Sequence, residues 1–389
     1  MQNVDKTRFS FKSVTEDPIL SRAIRFLFVP KRSLQKFGIG LALLMGLVAN
    51  QVLAQATPAQ IAGSDWEALT VTSPAVASDG HNLYAAWKDF NSNNIYFSYN
   101  YGFGWTSQQI VTTTTGTPQT AVAPALSYIQ PGDQLVLGYA DTGSGEINLL
   151  TWNGSSWNGP FTIAGAGWAA ESKYAPAIIG GGDVGVAWVG LGEKNDIWYS
   201  VLTQSGGWST QLEVKGSGWQ AQSSAAPAAL TTFNKNLVGG WIDALFWKGN
   251  SGDGIWDSMS PPNWAKQAAI QDCSPDTDAG PTAAQLQNVD EPAPATVLLV
   301  AWKKAESTTI NYGVYPFFWY SGKYQCGQVA GSGWSASTNV APAVANGLVS
   351  GPEGNTSGNI FAWTDAVTSR IFYVDPVAAN FAGLAGFPE

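Results

Sequence analysis

The chain has 389 residues, with 43 Gly, 18 Trp, 12% charged residues and a single His. Many glycines and aromatics with few charges fit an all-β extracellular protein and exclude a helical cytosolic enzyme. Residues 57–389 carry 11 basic and 25 acidic side chains, a formal charge of −14, because the first 56 residues hold 8 of the 19 Lys and Arg. So acidic a surface repels phosphate backbones and anionic lipid, which removes nucleic acid from the partners.

Residues 1–56 read as a secretory signal. A long basic stretch is followed by the apolar "GIGLALLMGLVANQVLAQA", which ends in small residues and predicts cleavage near Ala54 or Ala56. An uncleaved membrane anchor is the alternative reading. Export places the protein outside the cell or at its surface, with no membrane contact after cleavage.

Residues 57–389 read as six repeats, near 63–111, 112–163, 164–214, 215–270, 271–329 and 330–389. The landmark prolines are Pro74, Pro124, Pro176, Pro227, Pro281 and Pro342, spaced by 50, 52, 51, 54 and 61 residues. Each is preceded by a recurring lead-in: "GSGWQAQSSAAPAAL" from Gly216 is echoed by "GSGWSASTNVAPAV" from Gly331.

After each proline comes a short apolar run, then a second run ending in an aromatic: Trp87, Tyr139, Trp188, Trp241, Trp302 and Trp363. A third run opens with Ile ("IYFS", "INLL", "IWYS", "IWDS", "INYG", "IFYV"). A fourth opens on Trp105, Trp157, Trp208, Trp264, Tyr324 and Phe381.

Four short runs bounded by Gly, Asn, Asp or Ser predict a four-stranded antiparallel unit. Six such units, none able to bury both faces alone, predict an all-β six-bladed β-propeller. A linear β-solenoid is the rival, though its rungs are usually shorter. The stretch "AQIAGSDW" matches "GQVAGSGW", so the segment before Gly63 predicts a fourth strand that completes the last blade. The C-terminal "NFAGLAGF" competes for that place.

Repeats two and five depart from the pattern. Eight residues before the proline, where the other four lead-ins carry Trp, they carry Gly116 and Cys273. Cys273 and Cys326 form a disulfide or remain as two free thiols; export permits the first. Repeat five also holds the insertion "QNVDEPAPAT", read as a longer hairpin loop.

In such a blade the lead-in and the loop after the second strand share one face. That face is expected to carry Trp66, Trp168, Trp219 and Trp334, with Asp89, Asp141, Asp243 and Asp365 two residues after the second-strand aromatic. Gly190 and Lys304 fill that place in the other two repeats. An aromatic plate beside hydrogen-bond acceptors suits sugar binding. The competing reading makes each Trp a wedge between blades and each Asp a turn residue. Repeats one, four and six keep both residues, which predicts three sites.

Chemistry is excluded more firmly than it is assigned. The sole His81 sits in the turn "SDGHNLY" on the opposite face, which leaves no base for a Ser-His-Asp hydrolase. One His and two separated Cys rule out an ordinary zinc cluster. "SPDTDAG" and "GNSGDG" have the closely spaced oxygens of Ca2+ loops without the full spacing, so no cofactor is expected. Acidic pairs for glycoside hydrolysis are available, but no acid stands in a distinctive motif. Asn153 and Asn355 are N-glycosylation sequons.

The hairpin "SYNYGFGW", Ser98 to Trp105, and more loosely "SVLTQSGGW", Ser200 to Trp208, resemble the Asp-box of sialidase-type propellers. Asn100 replaces the Asp, and Gly104 stands where Thr is usual. The resemblance implies a propeller and a structural role for these hairpins. A sialidase clamps its substrate carboxylate with three arginines, and residues 57–389 contain only Arg370.

Over residues 57–389 the chain also resembles secreted lectin-like propellers, including the six-bladed fungal fucose-binding lectins, in repeat count and aromatic content. That family uses an Arg and a Glu in each site; neither recurs here, so fucose specificity is not implied. The expectation is a secreted, multivalent carbohydrate-binding propeller without catalytic activity, whose partners are glycans. An extracellular protein-interaction or envelope-scaffold propeller is the alternative, and a polysaccharide hydrolase the third reading.

Overall fold

The computed structural model describes residues 57–389 except 130–132, 181–183, 204, 234–240, 260–263, 289–294, 317–322, 346–347, 352–353, 358–359 and 377–389. The expected signal segment, Phe381, "NFAGLAGF" and most of the insertion in repeat five lie outside the described residues.

Six four-stranded antiparallel sheets form the six blades, with strands hydrogen-bonded in chain order in blades one to five. Blade one comprises Ala75–Ser78, Leu83–Lys88, Ile95–Asn100 and Gln109–Ile110. Blades two to five follow the same plan, beginning at Ala125, Ala177, Ala228 and Thr282. Blade six takes Ala343–Ala345, Ile360–Thr364 and Ile371–Val374 from the end of the chain. Its fourth strand is Ala59–Gln60, with Ala59 opposite Tyr373 and Gln60 opposite Phe372. The N-terminal strand therefore closes the ring and removes two open edges.

The apolar alternation of the strands is spent between blades. Each junction has its own buried cluster, including one that joins Ile360, Ala362 and Ile371 of blade six to Val76, Ala85 and Trp87 of blade one. The residue ending each second-strand run is buried in these clusters: Trp87, Tyr139, Trp188, Trp247, Trp302 and Trp363 are at most 3% exposed.

Blade four corrects the sequence reading. Its second strand is Trp241–Lys248, and Trp247 pairs with Trp256 as Trp87 pairs with Tyr96. Trp241, expected to end that run, instead begins the strand opposite Phe233. The place equivalent to Asp89 is thus Gly249, and Asp243 lies within the strand opposite Thr231.

The lead-in is a sixfold clamp. Thr70, Thr120, Ser172, Ser223, Thr277 and Thr338, each four residues before the landmark proline, are at most 2% exposed. Every one of these hydroxyls accepts a bond of 3.0–3.3 Å from the backbone N–H two residues on. Their own N–H groups donate to the loop after the second strand of the preceding blade, as from Thr70 to Ser369 O at 3.0 Å and from Thr338 to Thr308 O at 2.7 Å. A buried hydroxyl with both neighbours satisfied fixes the bend that carries the chain to the next inner strand.

The disulfide Cys273–Cys326 forms, with Cα atoms 5.5 Å apart. It ties the lead-in of repeat five to that blade's own outer strand, Gln325–Gln328. Cys273 stands where other lead-ins place Trp, so the covalent bond takes the place of a ring contact.

Candidate functional site at the lead-in face

Four lead-ins fold as tight turns that bring Trp back over a glycine three residues earlier. A Cβ on Gly63, Gly165, Gly216 or Gly331 would fall 2.1–2.3 Å from the Nε1 of Trp66, Trp168, Trp219 or Trp334. Only glycine permits that approach, which explains the recurring Gly-x-x-Trp.

Each indole then packs into the junction below it. Trp66 lies parallel to Trp87, Trp168 to Trp188 and Trp334 to Trp363, with centroids 6.2–6.3 Å apart and planes 6° apart. Third-strand rings continue the stack: Tyr96 lies 6.2 Å beyond Trp87, and Phe372 lies 6.0 Å beyond Trp363. Trp219 packs against the cluster between blades three and four. All four lead-in rings remain half-buried, so each is a wedge with part of its surface still wet.

The loop acids share that face, and their oxygens are largely occupied. Asp141 accepts from the N–H groups of Gly143 at 2.9 Å and Ser144 at 3.1 Å. Asp365 accepts from Thr368 N at 2.8 Å, Thr368 Oγ1 at 2.7 Å, Val367 N at 3.2 Å and Ser337 Oγ at 3.3 Å. Partial burial raises the Asp365 pKa, but these donors outweigh it and hold the carboxyl below its ordinary value. Asp89 accepts from Ser92 Oγ at 2.7 Å. In blade six the lead-in meets the loop acid, with Ser337 Oγ donating to Asp365 at 3.3 Å, and blade one keeps Trp66 and Asp89 at the equivalent positions. Blade two has the acid without the Trp, and blade four has the Trp without the acid.

Sequence reasoning missed three lysines buried directly after the second-strand aromatic. Lys88 donates to the carbonyls of Asp89 at 3.0 Å and Ser92 at 2.9 Å. Lys248 reaches Ser224 Oγ, Gly252 O and Asp253, and Lys303 binds both oxygens of Asp278 at 2.6 and 2.7 Å. The signal was present as Trp-Lys in "AAWKD", "LFWKG" and "VAWKK". The Lys248 and Lys303 ammonium groups take up carboxylates of the two stretches with Ca2+-loop character. Among the described residues no three His, Cys, Asp or Glu side chains form a metal site.

Arg370 pairs with Glu67 at 2.9 Å, joining blade six to the lead-in of blade one. The sole arginine of residues 57–389 is thus engaged in a structural tie. His81 lies on the opposite face, exposed in the first hairpin of blade one, where its backbone N–H donates to Asp79 Oδ1. On the propeller axis the six first strands surround a channel of roughly 250 Å3, rimmed by small residues before the landmark prolines.

No protein-family model matches the chain, and no curated protein matches it. Among solved structures it is similar to AofleA from Arthrobotrys oligospora, at 14% identity and TM-score 0.53 over 82% of this chain and 89% of that one. It is similar also to a mutant Aleuria aurantia lectin in complex with Fucα1-6GlcNAc, at 14% identity and TM-score 0.52 over 78% and 91%. A Hadza microbial sialidase matches at 11% identity and TM-score 0.53, over 82% of this chain and 68% of that one. At these identities the likeness establishes the fold: the chain is a six-bladed propeller of the architecture shared by such lectins and sialidases.

Proposed function

We propose that the protein is a secreted carbohydrate-binding propeller, multivalent through its lead-in face. The observation that carries this reading is the set of four half-buried indoles at equivalent junctions of one face. A sugar's C–H face stacks on such a surface, and the loop acids beside it accept from its hydroxyls. Blades one and six, which keep both Trp and acid, form the strongest sites, and those of blades three and four are weaker. Several weak sites on one rigid face gain affinity for clustered glycans through avidity. The single arginine argues against a sialidase clamp.

Exposed apolar side chains on the same loops support a second reading, a protein-docking surface. Phe90, Leu191 and Val367 are 43%, 48% and 87% exposed. A broad glycan array run with the purified protein and with folded Trp219→Ala and Trp334→Ala variants separates the two. Array binding that weakens in both variants supports the lectin; a blank array leaves the docking surface.

A further inference from the structure

Five of the six junctions carry a ring or a disulfide at the lead-in. The junction between blades one and two carries Gly116 there, and a group of tyrosines lies toward its opposite face. Tyr84 pairs across the sheet with Tyr99. At the same register, blades two to five pair Val136 with Thr151, Gly185 with Val201, Ala244 with Met259 and Leu299 with Val314. Tyr128, on the first strand of blade two, lies parallel to Tyr84 at 6.4 Å with planes 4° apart. Tyr84 and Phe97 belong to the buried cluster of this junction, and Tyr99 and Tyr128 pack on it from the solvent side.

The rings continue outward along blade one. Phe97 lies 6.3 Å from Tyr84 and 5.8 Å from Tyr99, and Tyr101 is 4.5 Å from Tyr99. Tyr84 and Phe97 are buried beneath, Tyr99 and Tyr128 are half-buried, and Tyr101 is 47% exposed. Phe103, at the hairpin tip, is 100% exposed and contributes no packing. The tip is nonetheless built: Asn100 Oδ1 accepts from Gly102 N at 2.8 Å and Gly104 N at 3.2 Å. Both glycines have positive φ, 90° and 105°, a conformation that suits glycine best.

The charge around this row is of one sign. Asp79 is held by Tyr84 Oη at 2.7 Å and Asn82 Nδ2 at 2.7 Å, and both Asp79 and Asp133 act on Tyr128. From residue 57 to residue 172 the only Lys or Arg is Lys88, which is turned into its loop at the lead-in face. His81 is the one other basic group nearby. An acidic sugar would meet repulsion here, whereas a neutral one finds aromatic faces with hydroxyl tips.

We propose that the accessible rings of this row, Tyr128, Tyr99, Tyr101 and Phe103, form a second ligand site, for an uncharged oligosaccharide chain that stacks on their open faces. It shares with the lead-in-face reading only the class of ligand.

The test is calorimetric titration of the purified protein with the neutral hexamers of cellulose, xylan, mannan and chitin, and with hexagalacturonate as the acidic control. The expected result is binding of at least one neutral hexamer, weakened roughly tenfold or more in Phe103→Ala and in Tyr101→Ala. Phe103 makes no packing contact, so its variant folds. If every neutral hexamer fails at millimolar concentration, or hexagalacturonate binds more tightly, the site is refuted. A hexamer that binds wild type and both variants equally overturns it too, and places that ligand on the lead-in face. Array glycans that bind through the lead-in tryptophans while all hexamers fail overturn this site alone.

Discussion

Trp334 lies parallel to Trp363 with 6° between their planes, and the same geometry recurs at Trp66–Trp87 and Trp168–Trp188. A lead-in ring is therefore a structural member of the junction before it is anything else. Removing one leaves a cavity above a buried indole, and Trp334→Ala is expected to cost about 2–4 kcal/mol. Trp334→Phe keeps part of the stack and should cost less. Urea titration of the three proteins measures the difference; equal midpoints would mean that the ring is not a wedge.

The disulfide closes a loop with a sequence separation of 53 residues. On the chain-entropy account a bridge of that length stabilises by about 4 kcal/mol, and native bridges in small domains are worth roughly 2–5 kcal/mol. Reduction, or the Cys273→Ser/Cys326→Ser pair, should lower the melting temperature by several degrees without altering the far-UV spectrum. An unchanged melting temperature would show that the lead-in of repeat five is held by packing alone.

Asp257 occupies a third-strand position that the other blades fill with Phe97, Leu149, Tyr199, Tyr312 and Tyr373. Burial pushes its pKa up to about 6 from an ordinary 3.8. A raised folded-state value means that the ionised form is the disfavoured one. This group's contribution is thus most favourable below pH 4, declines between pH 4 and 6, and levels off above. Two pKa units correspond to about 3 kcal/mol. Asp257→Asn should match wild type near pH 4 and exceed it by up to that amount at pH 7. Parallel pH dependences in the two proteins would show that Asp257 is solvated.

The lead-in hydroxyls offer a repeated measurement. Ser223→Ala and Thr277→Ala each remove an acceptor for a buried N–H and are expected to cost about 1–2 kcal/mol. Thr203→Ala, in an exposed outer hairpin, is expected to change little. Thermal melts of the three variants decide it; a similar loss in all three would deny the lead-in turns any special role.

Much of the fold was legible because each blade repeats the same apolar runs at a near-constant interval from its proline. Blade four misled because Trp241 and Trp247 lie on one strand and either closes a plausible apolar run. Spacing to the next Ile resolves it: Trp87 to Ile95 and Trp363 to Ile371 are 8 residues, as is Trp247 to Ile255, whereas Trp241 is 14 away. That shift removes Asp243 from the lead-in face and reduces the blades with both Trp and acid to the first and sixth. The Ser or Thr four residues before each landmark proline was equally visible in the sequence. Whether a lead-in Trp is plate or wedge was not legible, since it depends on which neighbour its ring meets. Nor was the closing strand, because two segments competed and only the pairing of Gln60 with Phe372 decides.

That pairing has a consequence for biosynthesis. Ala59 and Gln60 leave the ribosome before any blade exists, and their partners Tyr373 and Phe372 leave after five blades have been made. Until then the nascent chain is an open arc with an unpaired strand edge at blade six and an uncovered apolar flank on blade one. Such an arc invites pairing with a second chain. Folding that waits until all six blades have been made keeps Ala59–Gln60 and Ile371–Val374 of one molecule for each other. Truncation anywhere before Phe372 would strand the first segment permanently and yield arcs that stick to one another rather than a slightly smaller ring.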